Sequence, residues 1–136
     1  MHEYHELIES LKPPTRALRA GIPETWRGFS DMHRSAVADG ALSAKVKELI
    51  ALAIATANGC DGCIAYHARA AAKHGATEKE TAEALGVALL MAGGPASVHG
   101  PRALAAFNEF NASPRRVAAD RLDAVAPADG YRPGGR

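Results

Sequence analysis

Apolar residues recur at helical spacing along most of this 136-residue chain, and glycines and prolines cut the pattern into segments. The clearest segment opens at Ser43, a suitable N-cap. Ala44 to Ala57 contains neither Gly nor Pro, and Val46, Leu49, Ile50, Ala53, Ile54 and Ala57 are expected to form its apolar face. Lys45, Lys47 and Glu48 lie elsewhere near its start. Asn58-Gly59 supplies a C-terminal stop. A second helix follows from about Cys60 to His74, closed by Gly75. Thr77-Glu78-Lys79-Glu80 has a capping-box pattern and opens a third, running through Leu85, Leu89 and Leu90 to Met91. Gly93-Gly94-Pro95 breaks that run. A last helix, from Ser97 or Pro101 to Asn111, carries Leu104, Phe107 and Phe110.

Upstream the signals are shorter. The first ten residues suit a helix ending before Pro13-Pro14, and Thr15 to Ala20 a further turn stopped by Gly21 and Pro23. Pro23-Glu24-Thr25-Trp26 reads as a helix start. From there Trp26, Phe29, Met32, Ala36 and Val37 recur at helical spacing to Asp39-Gly40, and core packing is the expected role of Trp26 and Phe29. After Pro114 the chain turns Arg-, Asp-, Pro- and Gly-rich. Arg115 to Val125 admits a helical piece, and Ala126 to Arg136 reads as a flexible tail. With no hairpin signal and no long repeat, the expected fold class is all-α. Residues 1–112 form a single domain (core motif region 31–110), and 113–136 form a C-terminal extension.

Composition fits this reading and narrows the function. A hydrophobic fraction of 47%, much of it alanine, with only 5% aromatics favours closely packed helices over a β-sandwich. A net charge of +1 gives no electrostatic case for nucleic acid or an anionic membrane. Met1-His2-Glu3-Tyr4-His5-Glu6 lacks the basic residues and apolar core of a signal peptide. The longest apolar run, Leu49 to Ala57, is interrupted by Thr56 and falls far short of the roughly 20 residues that span a bilayer. A cytoplasmic protein is the expectation. There, a Cys-x-x-Cys is more often catalytic or metal-binding than a structural disulfide.

That motif carries the chemistry. Cys60 and Cys63 are the only cysteines, and His67 follows four residues beyond the second. On a helix, at roughly 100° per residue, Cys60, Cys63 and His67 fall at about 0°, −60° and −20°, one narrow stripe. Cys60 stands at the expected helix N-terminus, where free N–H groups and the dipole favour a thiolate. Cα atoms one turn apart lie about 5–6 Å from each other, within disulfide reach. Glu48 lies twelve residues before Cys60, on the preceding helix. By residue type it belongs to a solvated face, but a tight turn at Asn58-Gly59 lets its carboxylate reach His67. Two other readings stay open on spacing alone. The cysteines can be buried small hydrophobes, or Cys60, Cys63 and His67 can be metal ligands. Structural zinc wants a fourth ligand, from His74, His99, Glu48 or another subunit, and His74 is two turns too far along its helix to share the ion.

Glu48, then Cys60-x-x-Cys63-x-x-x-His67, resembles the core of the alkylhydroperoxidase D-like branch of the carboxymuconolactone decarboxylase family. Lys47 to Ala53 before the cysteines, and Ala71 to Thr77 with the alanine-rich helix after them, extend the resemblance over roughly Asp31 to Phe110. It implies a helical bundle of about six to seven helices that assembles into homo-oligomers, commonly trimers or hexamers. It also implies a thiol peroxidase: Cys63 attacks a hydroperoxide, Cys60 resolves the sulfenic acid as a disulfide, and Glu48 and His67 relay protons. An external dithiol, lipoylated or thioredoxin-like, reduces the disulfide, with no cofactor required. One position departs from the pattern, which places a histidine immediately before the second cysteine where this chain has Gly62. The relay therefore lacks one imidazole. In the decarboxylase branch, which acts on a lactone acid, the cysteines are generally absent. A metal-binding or regulatory module and a decarboxylase of that type are the alternatives.

Overall fold

The computed structural model describes residues 2–112, so the expectations for the segment beyond Pro114 lie outside the described residues. Among the described residues there are six helices and no strand: α1 (Glu3–Gly21), α2 (Pro23–Val37), α3 (Ala44–Asn58), α4 (Asp61–Lys73), α5 (Glu78–Ala92) and α6 (Gly94–Asn111). No helix among them is long and apolar enough to cross a membrane.

The boundaries of α3 to α5 follow from local hydrogen-bond chemistry. Ser43 Oγ accepts from Val46 N at 3.2 Å, and Asp39 Oδ1 takes the neighbouring free donor, Ala44 N, at 2.7 Å. Thr77 and Glu80 form the full reciprocal capping box at the start of α5. Gly59 ends α3 in the left-handed region at φ +66°, and the Cys60 N–H returns to Ala55 O at 3.1 Å. An added Cβ at Gly59 would lie 2.9 Å from His99 Nε2, so both backbone and packing require glycine there.

Helices α3, α4, α6 and α5 pack around one core, each touching the next, with α3 also reaching across to α6. Small side chains let them approach closely: Ala65, Ala68, Ala71, Ala103 and Ala106 are fully buried beside Leu52, Ile64 and Phe107. Burial of each of the last three contributes about 1.5–3 kcal/mol. Helix α1 lies on α4 through Tyr4 and Ile8, and α2 rests on α3 and α1.

Four expectations need correction. Helix α1 runs straight through Pro13-Pro14. Both prolines are exposed, so the Glu9 and Ser10 carbonyls that lose their donors face water, and the fixed proline φ is itself helical. Trp26 and Phe29 are not core: α2 buries no residue, Trp26 is half-buried, and Phe29 is exposed. The inward stripe of α3 is Ala44, Glu48, Leu52, Ala55 and Thr56, while Val46, Ile50 and Ile54 are exposed. Thr56 is accommodated because its hydroxyl donates to Leu52 O at 2.7 Å. Finally, α6 starts at Gly94, immediately after Gly93 at φ +61°, with Pro95 in its first turn and Pro101 exposed within it.

Candidate functional site

The turn at Gly59 delivers Cys60 directly to the N-cap of α4. Its sulfur accepts from Cys63 N at 3.3 Å, so a free backbone donor of the first turn points at Sγ. Cys60 and Cys63 are joined as a disulfide, with Cα atoms 5.3 Å apart, inside the interval expected for one helical turn. Cys63 is exposed and Cys60 only partly so.

The third member of the motif sits one turn further along the same helix face. His67 Nδ1 lies 2.7 Å from Glu48 Oε2; the carboxylate side chain is 4% exposed and the imidazole 22%. Glu48 is therefore not on a solvated face. The helical phase that buries Leu52 and Ala55 turns Glu48 towards α4, and burial of a carboxylate is tolerable only with such a partner. An ionised carboxylate can only accept, so Nδ1 carries the hydrogen and Nε2 is the nitrogen left free. The structure thus pairs Glu48 with His67 and Cys60 with Cys63, and His67 stands one turn beyond Cys63 on α4.

Several neighbours come from parts of the chain with no motif. The His33 ring on α2 faces that of His67, with centroids 6.1 Å apart and planes at 24°. Leu11 of α1 lies over the first turn of α4, its Cδ1 3.3 Å from where a Cβ on Gly62 would stand. Asp61, the first residue of α4, pairs with Arg102 of α6 at 3.1 Å, and Arg102 also reaches Glu3 at 3.9 Å. His99 packs on the Gly59 turn, and its Nδ1 is buried without a hydrogen-bond partner. Of these the sequence offers only His99, as a metal ligand; no spacing rule reaches His33, Leu11 or Arg102, because each contact spans separate helices. His74 is exposed past the end of α4.

A second constellation of ligand-type side chains, His2, His5 and Glu109, gathers its donor atoms within 4.8 Å of one another. Its geometry is that of a helix cap. Glu109 accepts from Tyr4 N at 3.2 Å and His5 N at 3.0 Å, with His5 Nδ1 at 2.7 Å, so the carboxylate satisfies the free donors of α1. Burial pushes the Glu109 carboxyl up, but the bonds from His5 and Tyr4 outweigh it and hold the group below its ordinary range.

The chain is similar to several known proteins. An uncharacterised protein of Cupriavidus necator is 41% identical over 96 residues, 71% of this chain and 85% of that protein. An uncharacterised protein encoded in the cox locus of Paracoccus denitrificans is 39% identical over 83 residues, 61% of this chain and 75% of its own length. The crystal structure of an apo carboxymuconolactone decarboxylase family protein from Legionella pneumophila superposes with a TM-score of 0.79 at 39% identity, covering 82% of this chain and 99% of that one. Residues 23–111, which run from the first residue of α2 to the last of α6, match the family itself. The chain belongs to the carboxymuconolactone decarboxylase family.

Proposed function

We propose that the protein is a dithiol–disulfide oxidoreductase that reduces hydroperoxides through Cys63 and Cys60. The observation that carries this reading is the buried Glu48 carboxylate held on His67 Nδ1, one helical turn from an exposed cysteine that is already paired with its neighbour. A dithiol alone needs no buried acid, whereas a proton relay does.

In the reduced form His67 Nε2 takes the proton of the Cys63 thiol, and the thiolate so formed attacks the terminal oxygen of ROOH. The O–O bond breaks, Cys63 becomes a sulfenic acid, and the departing alkoxide takes a proton to leave as ROH. His67 supplies that proton from Nε2, and Glu48 stabilises the imidazolium by which it is carried. The Cys60 thiol then displaces hydroxide from the sulfenic sulfur; the disulfide forms and water leaves. An external dithiol returns both thiols and becomes a disulfide itself, so two electrons pass from that dithiol to the peroxide. A lipoyl group on a carrier protein or a thioredoxin-like protein fits this requirement. The cycle as written needs no metal or organic cofactor.

We further read the protein as a homo-oligomer. Val46, Ile50 and Ile54 form an exposed stripe on α3, and Leu90 and Met91 of α5 are 81% and 78% exposed. Exposed apolar side chains clustered in this way characterise protein interfaces. Subunits of the trimers or hexamers that the family resemblance implies would cover them.

Stopped-flow oxidation of the reduced protein by hydrogen peroxide and by an organic hydroperoxide tests the central reading. One peroxide equivalent is expected to consume both thiols and yield the Cys60–Cys63 disulfide. If Cys63→Ser removed peroxide as fast as the parent, the mechanism would be wrong. Stoichiometric zinc released only with loss of structure would instead point to a metal-binding module.

A further inference from the structure

The two sulfurs of the disulfide are not equivalent, and the asymmetry fixes how the bond is opened. Thiol–disulfide exchange proceeds in line: the incoming thiolate bonds to one sulfur while the other leaves as a thiolate. Two quantities decide the direction, namely access to the attacked sulfur and stability of the leaving thiolate. Cys63 is exposed and Cys60 is only partly so. Cys60 Sγ is the N-cap acceptor of α4, with Cys63 N at 3.3 Å, and it sits at the positive end of a helix dipole. Cys63 lies inside the first turn and has no such place. Access and leaving-group stability therefore point the same way.

We propose that the reducing dithiol attacks Cys63, forming a mixed disulfide there and expelling Cys60 as a thiolate capped by the α4 N-terminus. This rests on the oxidoreductase reading above. In the first step a reductant thiolate bonds to Cys63 Sγ, the Cys60–Cys63 bond breaks, and its electron pair goes to Cys60. In the second step the other reductant thiol, as a thiolate, bonds to its partner sulfur. The mixed disulfide breaks, Cys63 leaves as a thiolate, and the reductant departs as a cyclic disulfide. Cys63 is then the covalent centre of both halves of the cycle. It carries oxygen from the peroxide and sulfur from the reductant, while Cys60 serves only as resolver and leaving group. Arg102 helps to keep that role open, because its guanidinium, 3.1 Å from Asp61, offsets the carboxylate adjacent to the forming Cys60 thiolate.

The disulfide can be formed with diamide, so the test does not depend on peroxide turnover. The oxidised full-length protein is mixed with glutathione, a monothiol that stalls after the first step. Free thiols are then trapped with acid and an alkylating agent, and the adduct is located by tandem mass spectrometry at the earliest time points. Glutathione on Cys63 and the alkyl group on Cys60 are expected, in large excess over the reverse. A second measurement uses single-cysteine variants, which cannot scramble. The iodoacetamide pH–rate profile of Cys63→Ser, reporting Cys60, should lie about one unit or more below that of Cys60→Ser, reporting Cys63. An adduct found mainly on Cys60, or equal in the two positions, overturns the proposal, and so do profiles that coincide or fall in the opposite order. Correct regiochemistry without peroxide consumption would retain it and sink only the peroxidase reading.

Discussion

Replacing Glu48 by glutamine separates the relay from the fold. Glu48 is 3% exposed as a residue and its oxygen lies 2.7 Å from His67 Nδ1. A charge-assisted bond of this kind contributes about 1.5–3 kcal/mol, against about 0.5–1.5 kcal/mol for a neutral one. Glutamine keeps the volume and a carbonyl acceptor for Nδ1–H, so Glu48→Gln should cost about 1–1.5 kcal/mol of stability as the difference between those ranges. Glu48→Ala would add a cavity and an unpaired donor, and so confuse the two effects. The catalytic consequence is much larger. An imidazole that delivers a proton becomes cationic or is recharged in each cycle, and without the carboxylate that state loses its counter-charge. General acid–base assistance is worth about 10²–10⁴ in rate, and most of it should disappear. The assay is single-turnover loss of thiols after mixing with one equivalent of organic hydroperoxide, with thermal denaturation run in parallel. His67→Gln should lose a similar factor, and the double variant should lose little more, because groups that act as a unit are non-additive. A Glu48→Gln protein that keeps at least half the parental rate would refute the relay and return Glu48 to the role of a buried structural partner.

Three further outcomes follow from the packing. Gly59→Ala should lower stability by more than about 1 kcal/mol, since both φ and the His99 contact oppose a Cβ; a companion His99→Ala removes only the contact, so full rescue on thermal denaturation would contradict the backbone argument. Ile54→Glu changes an exposed side chain and should leave the subunit folded, yet shift the protein to a smaller species by sedimentation; a monomeric parent would end the oligomer reading. Glu109 has a depressed carboxyl, so its contribution is present at neutral pH and is lost as pH falls below the ordinary value of 4.5. Glu109→Gln should therefore cost about 1–2 kcal/mol at pH 7 and progressively less in acid, and a cost that does not shrink with pH would contradict the charged cap.

The parts legible in the sequence were those set by neighbours in the chain. Ser43, Thr77 and Gly59 mark helix ends because caps are one-turn hydrogen-bond problems, and Cys60, Cys63 and His67 share a face because 3.6 residues make a turn. The phase of α3 departs from its hydropathy pattern for a physical reason. Its buried stripe contains Glu48 and Thr56, which hydropathy assigns outward, while its exposed stripe is apolar. A carboxylate paired with His67 of α4, a hydroxyl bonded to Leu52 O within α3 and an exposed apolar stripe invert the usual signal together. His33, Leu11 and Arg102 reach the site from α2, α1 and α6. Nothing local distinguishes them from any surface histidine, leucine or arginine.

The departure at Gly62 has a structural counterpart that gives it a test of its own. Helix α1 lies outside the residues matched to the family, and its Leu11 rests where a side chain at position 62 would start. The 3.3 Å separation is tight but involves a methyl at the end of a flexible side chain, which can move a few tenths of an ångström. Gly62→Ala should consequently be close to neutral. Helix propensity favours it by up to about 1 kcal/mol, and the shift of Leu11 consumes part of that gain. Gly62→His is different, because a ring must be placed beyond a Cβ that already meets Leu11 Cδ1 at 3.3 Å. Overpacking of this kind costs about 1–3 kcal/mol, and it should fall on the contact between α1 and α4. Adding Leu11→Ala should restore the stability and leave the imidazole beside Cys63. If turnover is limited by the missing proton carrier, that double variant consumes peroxide faster than the parent, whereas Leu11→Ala alone does not. Gly62→His as stable as the parent would show that Leu11 does not hold the position. A stable double variant with no gain in rate would show that the Glu48–His67 pair already meets the proton demand of the reaction.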